Sequence, residues 1–184
     1  MSPYFTIDCK DVFLREYRNE DLDELHALTM QPEIHTFLPG WNVSKEQRAD
    51  WLANYEIPGN HAFLEQVKEG LPVGDLRLRL GIIHKESGAF IGWCCTGPKE
   101  GLPQPNREVM YAISKDHRGK GYTSQAVGGL TNYLFEHAGV EALNAIALPY
   151  NICSIKVIQR CGFVYKGQIE IENDTYEHYT LNKR

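Results

Sequence analysis

A chain of 184 residues, 42% of them hydrophobic, can bury one sizeable core but not two, so a single domain over 1–184 is expected. Its net charge of −5 gives no basic field for general nucleic-acid or anionic-membrane binding, so any anion site has to be local. Five cysteines without a C-x-x-C pair argue against a disulfide framework or a zinc site, and neither a basic leader with an apolar run nor a stretch of membrane-spanning length occurs, so a soluble cytoplasmic protein with reduced thiols is expected.

The stretch DVFLREY, from Asp11, alternates as a strand. NEDLDELHALTM continues as a helix with Asn19 as N-cap, acids in its first turn and Leu22, Leu25 and Leu28 on one face, and Pro32 stops it. SKEQ, from Ser44, has the form of a capping box and starts a second helix carrying Trp51, Leu52 and Tyr55, which IPGN, from Ile57, ends. LRLRLGII from Leu76, the turn HKESG and the returning AFIGWCCTG read as an antiparallel hairpin. The loop PKEGLPQPN leads into REVMYAIS, whose β-branched and aromatic content suits a buried strand.

Next comes SKDHRGKGYTSQAV. A helix runs from Thr123, with Ala126, Val127, Leu130, Leu134 and Phe135 at helical spacing, to Gly139 at the position of a C-terminal cap. EALNAIAL is a further strand, Asn151 to Cys161 a short helix closed by Gly162, and FVYKGQIEI with TYEHYTL a final hairpin across END. TYEHYTL is expected at a sheet edge, where two copies can pair as a homodimer.

A strand that passes through DHRGKGYT into a helix leaves the first helical N–H groups unpaired at the positive end of the helix dipole, which suits phosphate. Gly119 and Gly121 let an anion touch the backbone, Arg118 and Lys120 add charge at the rim, and Thr123 or Ser124 offers a hydroxyl. Spacing excludes a Walker loop, because Lys120 lies between the glycines, and a dinucleotide fingerprint, because the third glycine is missing. Taken alone, the loop reads equally well as a tight strand-to-helix turn.

The run Arg118-Gly119-Lys120-Gly121-Tyr122-Thr123 resembles the [Q/R]-x-x-G-x-[G/A] motif of the Gcn5-related N-acetyltransferases, with Thr123 in place of the last small residue. YNICSIKVIQRCGF resembles the N-x-x-S-x-x-[VI]-x-x-x-x-G-F segment of the branch that includes the ribosomal-protein N-terminal acetyltransferases (RimJ/RimL type). The resemblance implies an α+β fold with a mixed, mostly antiparallel central sheet flanked by helices. It also implies transfer of acetyl from acetyl-CoA to a primary amine, either a protein N-terminus or a small molecule, by direct attack in a ternary complex.

On the same resemblance, REVMYAIS and EALNAIAL splay apart around the pantetheine arm, with Ile113 and Ser114 beside it. The amides of Arg118, Gly119, Lys120, Gly121, Tyr122 and Thr123 lie on the pyrophosphate, Asn151 contacts the coenzyme, and a backbone N–H of the first strand serves as oxyanion donor. Glu108 is the first candidate for the base, with Glu170, Glu172 and Glu177 on the last hairpin as alternatives, and its bland reading is a glutamate that balances Arg107.

Many family members supply a Tyr four residues before the Gly-Phe pair to protonate the leaving thiolate. Ile158 stands there, so Ser154 is the candidate substitute, with Tyr150 and Tyr111 as further hydroxyls. The absent Tyr keeps open a second class of function, a CoA-binding regulatory or interaction module without turnover.

The remaining reactive side chains read as structural. Cys153 and Cys161 are expected in the core, Cys94 and Cys95 on opposite faces of a strand, and the seven histidines suggest no metal site. His35 to Ser44, with Phe37, Leu38 and Trp41, is expected to wall the acceptor side.

Overall fold

The computed structural model describes residues 4–184. Its strands are β1 Thr6–Asp8, β2 Val12–Glu16, β3 Leu78–His84, β4 Phe90–Pro98, β5 Arg107–Ile113, β6 Ala142–Ala147, β7 Val164–Ile171 and β8 Asp174–Asn182. They form one eight-stranded sheet in the order β1-β2-β3-β4-β5-β6-β8-β7, in which β5 and β6 are parallel and all other neighbours antiparallel. The helices are α1 Leu22–Thr29, α2 Pro32–His35, α3 Lys45–Trp51, α4 Ile57–Lys68, α5 Tyr122–His137 and α6 Ile152–Arg160. This is the mixed, mostly antiparallel sheet flanked by helices that the sequence implies.

Strand alternation sorts the side chains into two cores. Val109 of β5 joins Leu14, Leu80, Ile82 and Cys94 under the buried stripe Ala126, Val127, Leu130 and Leu134 of α5. On the opposite face Trp93, Cys95 and Ala112 pack with Leu25 and Leu28 of α1, Ile34 of α2 and Leu52. Cys94 and Cys95 therefore do point to opposite faces, both buried.

Four local expectations change. Pro32 begins a helix where a stop was read, because a proline in the first turn gives up an N–H that has no partner there anyway. Asn19 opens a single 3-10 turn ahead of α1, and Asp21, whose carboxylate accepts the Arg18 N–H at 2.8 Å, does the capping. IPGN does not end a helix. Residues Leu52–Glu56 widen into a π-turn and the chain continues as α4, since the extra residue in the turn relieves the clash that Pro58 would make with the carbonyl four residues earlier. Ser44 does cap α3, its Oγ accepting from Gln47 N at 3.1 Å. Finally, TYEHYTL lies inside the sheet as β8, between β6 and β7, so the edge at that end is β7.

Candidate active site

The parallel pair β5/β6 is in register at one position, Glu108↔Asn144. Asn144 ties the strands there: its Nδ2 donates to Pro105 O at 2.8 Å and Arg107 O at 3.1 Å, and its Oδ1 lies 2.8 Å from His178 Nε2. Beyond that point the strands diverge. Ser114 N–H donates across to Ile91 O, so by antiparallel alternation the N–H and C=O groups of Tyr111 and Ile113 lie on the other edge, facing β6, where no register partner meets them among the described residues. The cleft thus has a peptide edge ready to hydrogen-bond an extended ligand.

At its far end the cleft meets the glycine loop. Gly119 (φ 74°) and Gly121 (φ 79°) are left-handed, and a Cβ at either would meet nothing within 4 Å, so the backbone faces open space on that side. Gly121 is the N-cap of α5, whose first turn carries no acidic residue, and its C=O accepts the first helical bond, from Gln125 N at 3.2 Å. The N–H groups of Tyr122, Thr123 and Ser124 precede that bond and stay available.

Contacts with the opposite layer hold this loop. Gln31, between α1 and α2, donates to Ser114 Oγ at 3.1 Å and accepts from Lys115 N at 3.0 Å, while Arg118 Nη2 donates to Glu33 O at 2.8 Å. Lys120 is exposed, and the Tyr122 hydroxyl lies 3.1 Å from His84 Nε2. A phosphate-bearing, extended thioester fits these features: two glycines on open space, an acid-free helix N-terminus and an unpaired peptide edge.

α6 packs against α5 beside the cleft. The Tyr111 hydroxyl lies 2.9 Å from Ser154 Oγ and donates to Ser154 O at 3.1 Å. Burial pushes the Tyr111 hydroxyl well up, with the Ser154 contact pulling it the other way, so it is a protonated donor at neutral pH. Asn151 caps α6, its Oδ1 accepting from Ser154 N at 3.3 Å, which is its structural role whatever else it does. Ile158 is buried in the core and Tyr150 is exposed against Phe37, ring centroids 5.9 Å apart.

Glu108 lies on the other face of β5. Burial raises its carboxyl above the usual range, and Lys99 and Arg77 oppose that shift. Arg107 does not balance it. That side chain lies on the opposite face, where its guanidinium stands over Phe63 and donates to Gly74 O at 2.6 Å and Leu76 O at 3.0 Å. On the last hairpin, Glu172 occupies the turn with Asn173, both at positive φ, and Glu170 is exposed. Glu177 bonds Gln168 and Tyr165 and is held below the usual carboxylate range, away from a base's task.

Trp41 stacks on buried Trp93 at 5.0 Å and lines a cavity together with Glu108. Two cavities lie along this face, one of about 60 Å³ with Glu108, Arg77 and Met110 in its lining and one of about 470 Å³ with Asp50, Trp51 and Tyr55, and Trp41 and Arg79 line both. Burial pushes the Cys95 thiol up to about 12 and that of Cys161 to about 11, and Cys153, expected in the core, is exposed because it falls on the outer side of α6.

Four residues escaped the sequence reading. Gln31 and Asn144 are single amides with no motif around them, and Arg77 and Arg79 looked like the solvent half of an alternating strand.

The acetyltransferase (GNAT) domain family matches residues 11–164. An uncharacterized N-acetyltransferase, p20 of Bacillus licheniformis, is 28% identical over 167 residues, covering 88% of this chain and 84% of its own. Among solved structures, an acetyltransferase (GNAT family) from Bacillus anthracis superposes with a TM-score of 0.76 at 16% identity, covering 97% of this chain and 99% of its own. AAC(6')-Ib in complex with Parmomycin and acetyl-CoA superposes at 0.72, also at 16% identity, over 95% and 94% of the two chains.

Proposed function

The chain belongs to the acetyltransferase (GNAT) domain family and is an acetyl-CoA-dependent acetyltransferase, and on that premise we propose that its acceptor is a primary amine, a protein N-terminus or a small molecule, acetylated by direct attack in a ternary complex. The observation that carries the proposal is the β5/β6 cleft, tied at Glu108↔Asn144, open along Tyr111 and Ile113 and closed by a left-handed glycine pair at the start of α5.

The cosubstrate supplies a thioester already activated toward amines, and the chain supplies positioning and proton transfers. The amides of Gly119, Gly121, Tyr122 and Thr123 hold the pyrophosphate, with Arg118 and Lys120 as rim charges. The backbone edge of Tyr111 and Ile113, next to Ser114, aligns the arm and offers an N–H to the developing oxyanion. Glu108, ionised, takes the proton that an ammonium must lose before its nitrogen bonds to the acetyl carbon. As the C–S bond breaks, the Ser154 hydroxyl, oriented by Tyr111, gives the sulfur a proton, and the second proton shed by the acylated nitrogen, passed on through water, restores that hydroxyl. Asn151 keeps the α6 N-terminus beside the thiol end.

The likeness of YNICSIKVIQRCGF to the ribosomal-protein N-terminal acetyltransferases supports a peptide N-terminus, whereas AAC(6')-Ib is seen with Parmomycin. Release of free thiol from acetyl-CoA, followed across peptides, amino acids, polyamines and aminoglycosides, tests the proposal. Amine-dependent release supports it. Tight acetyl-CoA binding without release for any amine class would leave a binding module.

A further inference from the structure

We propose that the acceptor amine carries a carboxylate or similar anionic group, held by Arg79 and Arg77 on the sheet face that also carries Glu108. The inference rests on the acetyltransferase reading of the same cleft and adds the class of acceptor to it. The strand pairing sets the layout: Arg79, Cys95 and Met110 form one row across β3, β4 and β5, Gly97 and Glu108 are paired in the next, and Arg77, one residue ahead of β3, lies against Gly97. Two strand spacings, roughly 10 Å between backbones, separate Arg77 from Glu108, leaving room for an amine between their side chains. Gly97 makes this possible. A Cβ there would lie 2.6 Å from Arg77 Cγ and 2.7 Å from Nη1, so the arginine lies across the bare backbone toward Glu108, its Nη2 donating to Pro98 O at 2.7 Å.

The acids in the larger cavity do not make it a site for cations. Glu56 is ion-paired with the fully buried Arg48, and its other oxygen stands 3.7 Å from Arg79 Nε, beyond a hydrogen bond. Asp50 sits at the rim and accepts from Asn54 Nδ2 at 2.8 Å. Trp41 and Trp51 would suit an ammonium, but Arg48 already faces both, at 5.7 and 5.3 Å from their ring centroids.

The guanidinium groups here are incompletely satisfied. Arg48 Nε and Nη1 are buried without a hydrogen-bond partner among the described residues, and Arg79 has Glu56 as its one carboxylate neighbour within 4 Å. Asn60 fixes Arg79 at this place, its amide accepting from Arg79 N at 2.7 Å and donating to Arg79 O at 2.8 Å, so the guanidinium is carried on a clamped backbone.

Matched amines with and without the anion test the proposal. L-Tryptophan against tryptamine and 4-aminobutyrate against butylamine are titrated by calorimetry into protein saturated with CoA, then compared in kcat/KM with acetyl-CoA. A hydrogen-bonded charge predicts a preference for the carboxylate of about 10-fold or more in at least one pair, with spermidine the poorest ligand. Arg79→Ala should erase that preference and leave CoA affinity unchanged. Arg77→Gln, which leaves the Arg48–Glu56–Arg79 cluster untouched, should reduce it if the first variant does not fold. Equal binding of both members of each pair, no binding of either, or a preference for spermidine would overturn the inference. Carboxylate-selective binding without turnover would instead overturn the acetyltransferase reading alone.

Discussion

Gly121 and Gly139 stand at the two ends of α5 in the same left-handed conformation, φ 79° and 65°, and a Cβ at either meets nothing within 4 Å. Alanine at either position carries a backbone cost of about 1–2 kcal/mol and no steric clash within the protein. In a domain of this size each kcal/mol moves Tm by about 2–4 °C, so both variants should melt about 2–8 °C lower. Their effect on the cosubstrate should differ. At Gly121 the added methyl fills the open side of the loop that the pyrophosphate is proposed to occupy, whereas Gly139 lies a whole helix away. Calorimetry should give an acetyl-CoA affinity at least ~10-fold weaker for Gly121→Ala, about 1.4 kcal/mol, and wild-type affinity for Gly139→Ala. Unchanged affinity in Gly121→Ala, or an equal loss in both, would refute the role of the loop.

Glu108→Gln should lower turnover by about 100-fold to 10,000-fold and remove the rise of rate with pH, because the raised carboxyl acts only when ionised. Its Tm at neutral pH should equal or exceed that of wild type, since a desolvated charge is removed, and a lower Tm with an intact pH profile would argue for a structural glutamate. Ser154→Ala should cut turnover with little change in acetyl-CoA affinity, and Tyr111→Phe should follow in the same direction; effects of about two-fold in both would remove the proposed proton route. His178, held below the ordinary imidazole range by burial and then by Lys166, contributes stability that is present above pH ~6.5 and lost as the pH falls toward its folded pKa. Scanning calorimetry from pH 7.5 to about 5 should show a steeper fall in Tm for wild type than for His178→Gln.

Local patterns carried much of the fold and marked the loop proposed to hold the pyrophosphate. RGKG reads as a phosphate loop because glycine freedom and helix-end polarity act over a few residues, and Ser44 and Gly139 mark helix ends for the same reason. The misreadings arose where tertiary geometry overrides a local signal. Pro58 is absorbed by a π-turn, Pro32 starts a helix, and TYEHYTL is interior because β6 pairs with it across some thirty-five residues of sequence. The acceptor half was least legible. Arg79 on β3, Arg77 just ahead of it and Glu108 on β5 acquire meaning only through the pairing of those strands with β4, and Gly97, which lets Arg77 cross, looks in sequence like any glycine at a strand end.

The central claim is that the unpaired edge of β5 holds the arm of acetyl-CoA, and hydrogen exchange of single amides by NMR tests it most directly. Adding acetyl-CoA should slow exchange at Tyr111 and Ile113, where β5 faces the gap, and at Tyr122 and Thr123, where α5 begins, while Ala112 and Ser114, bonded toward β4, change little. Unchanged exchange at Tyr111 and Ile113 with acetyl-CoA bound would contradict the account.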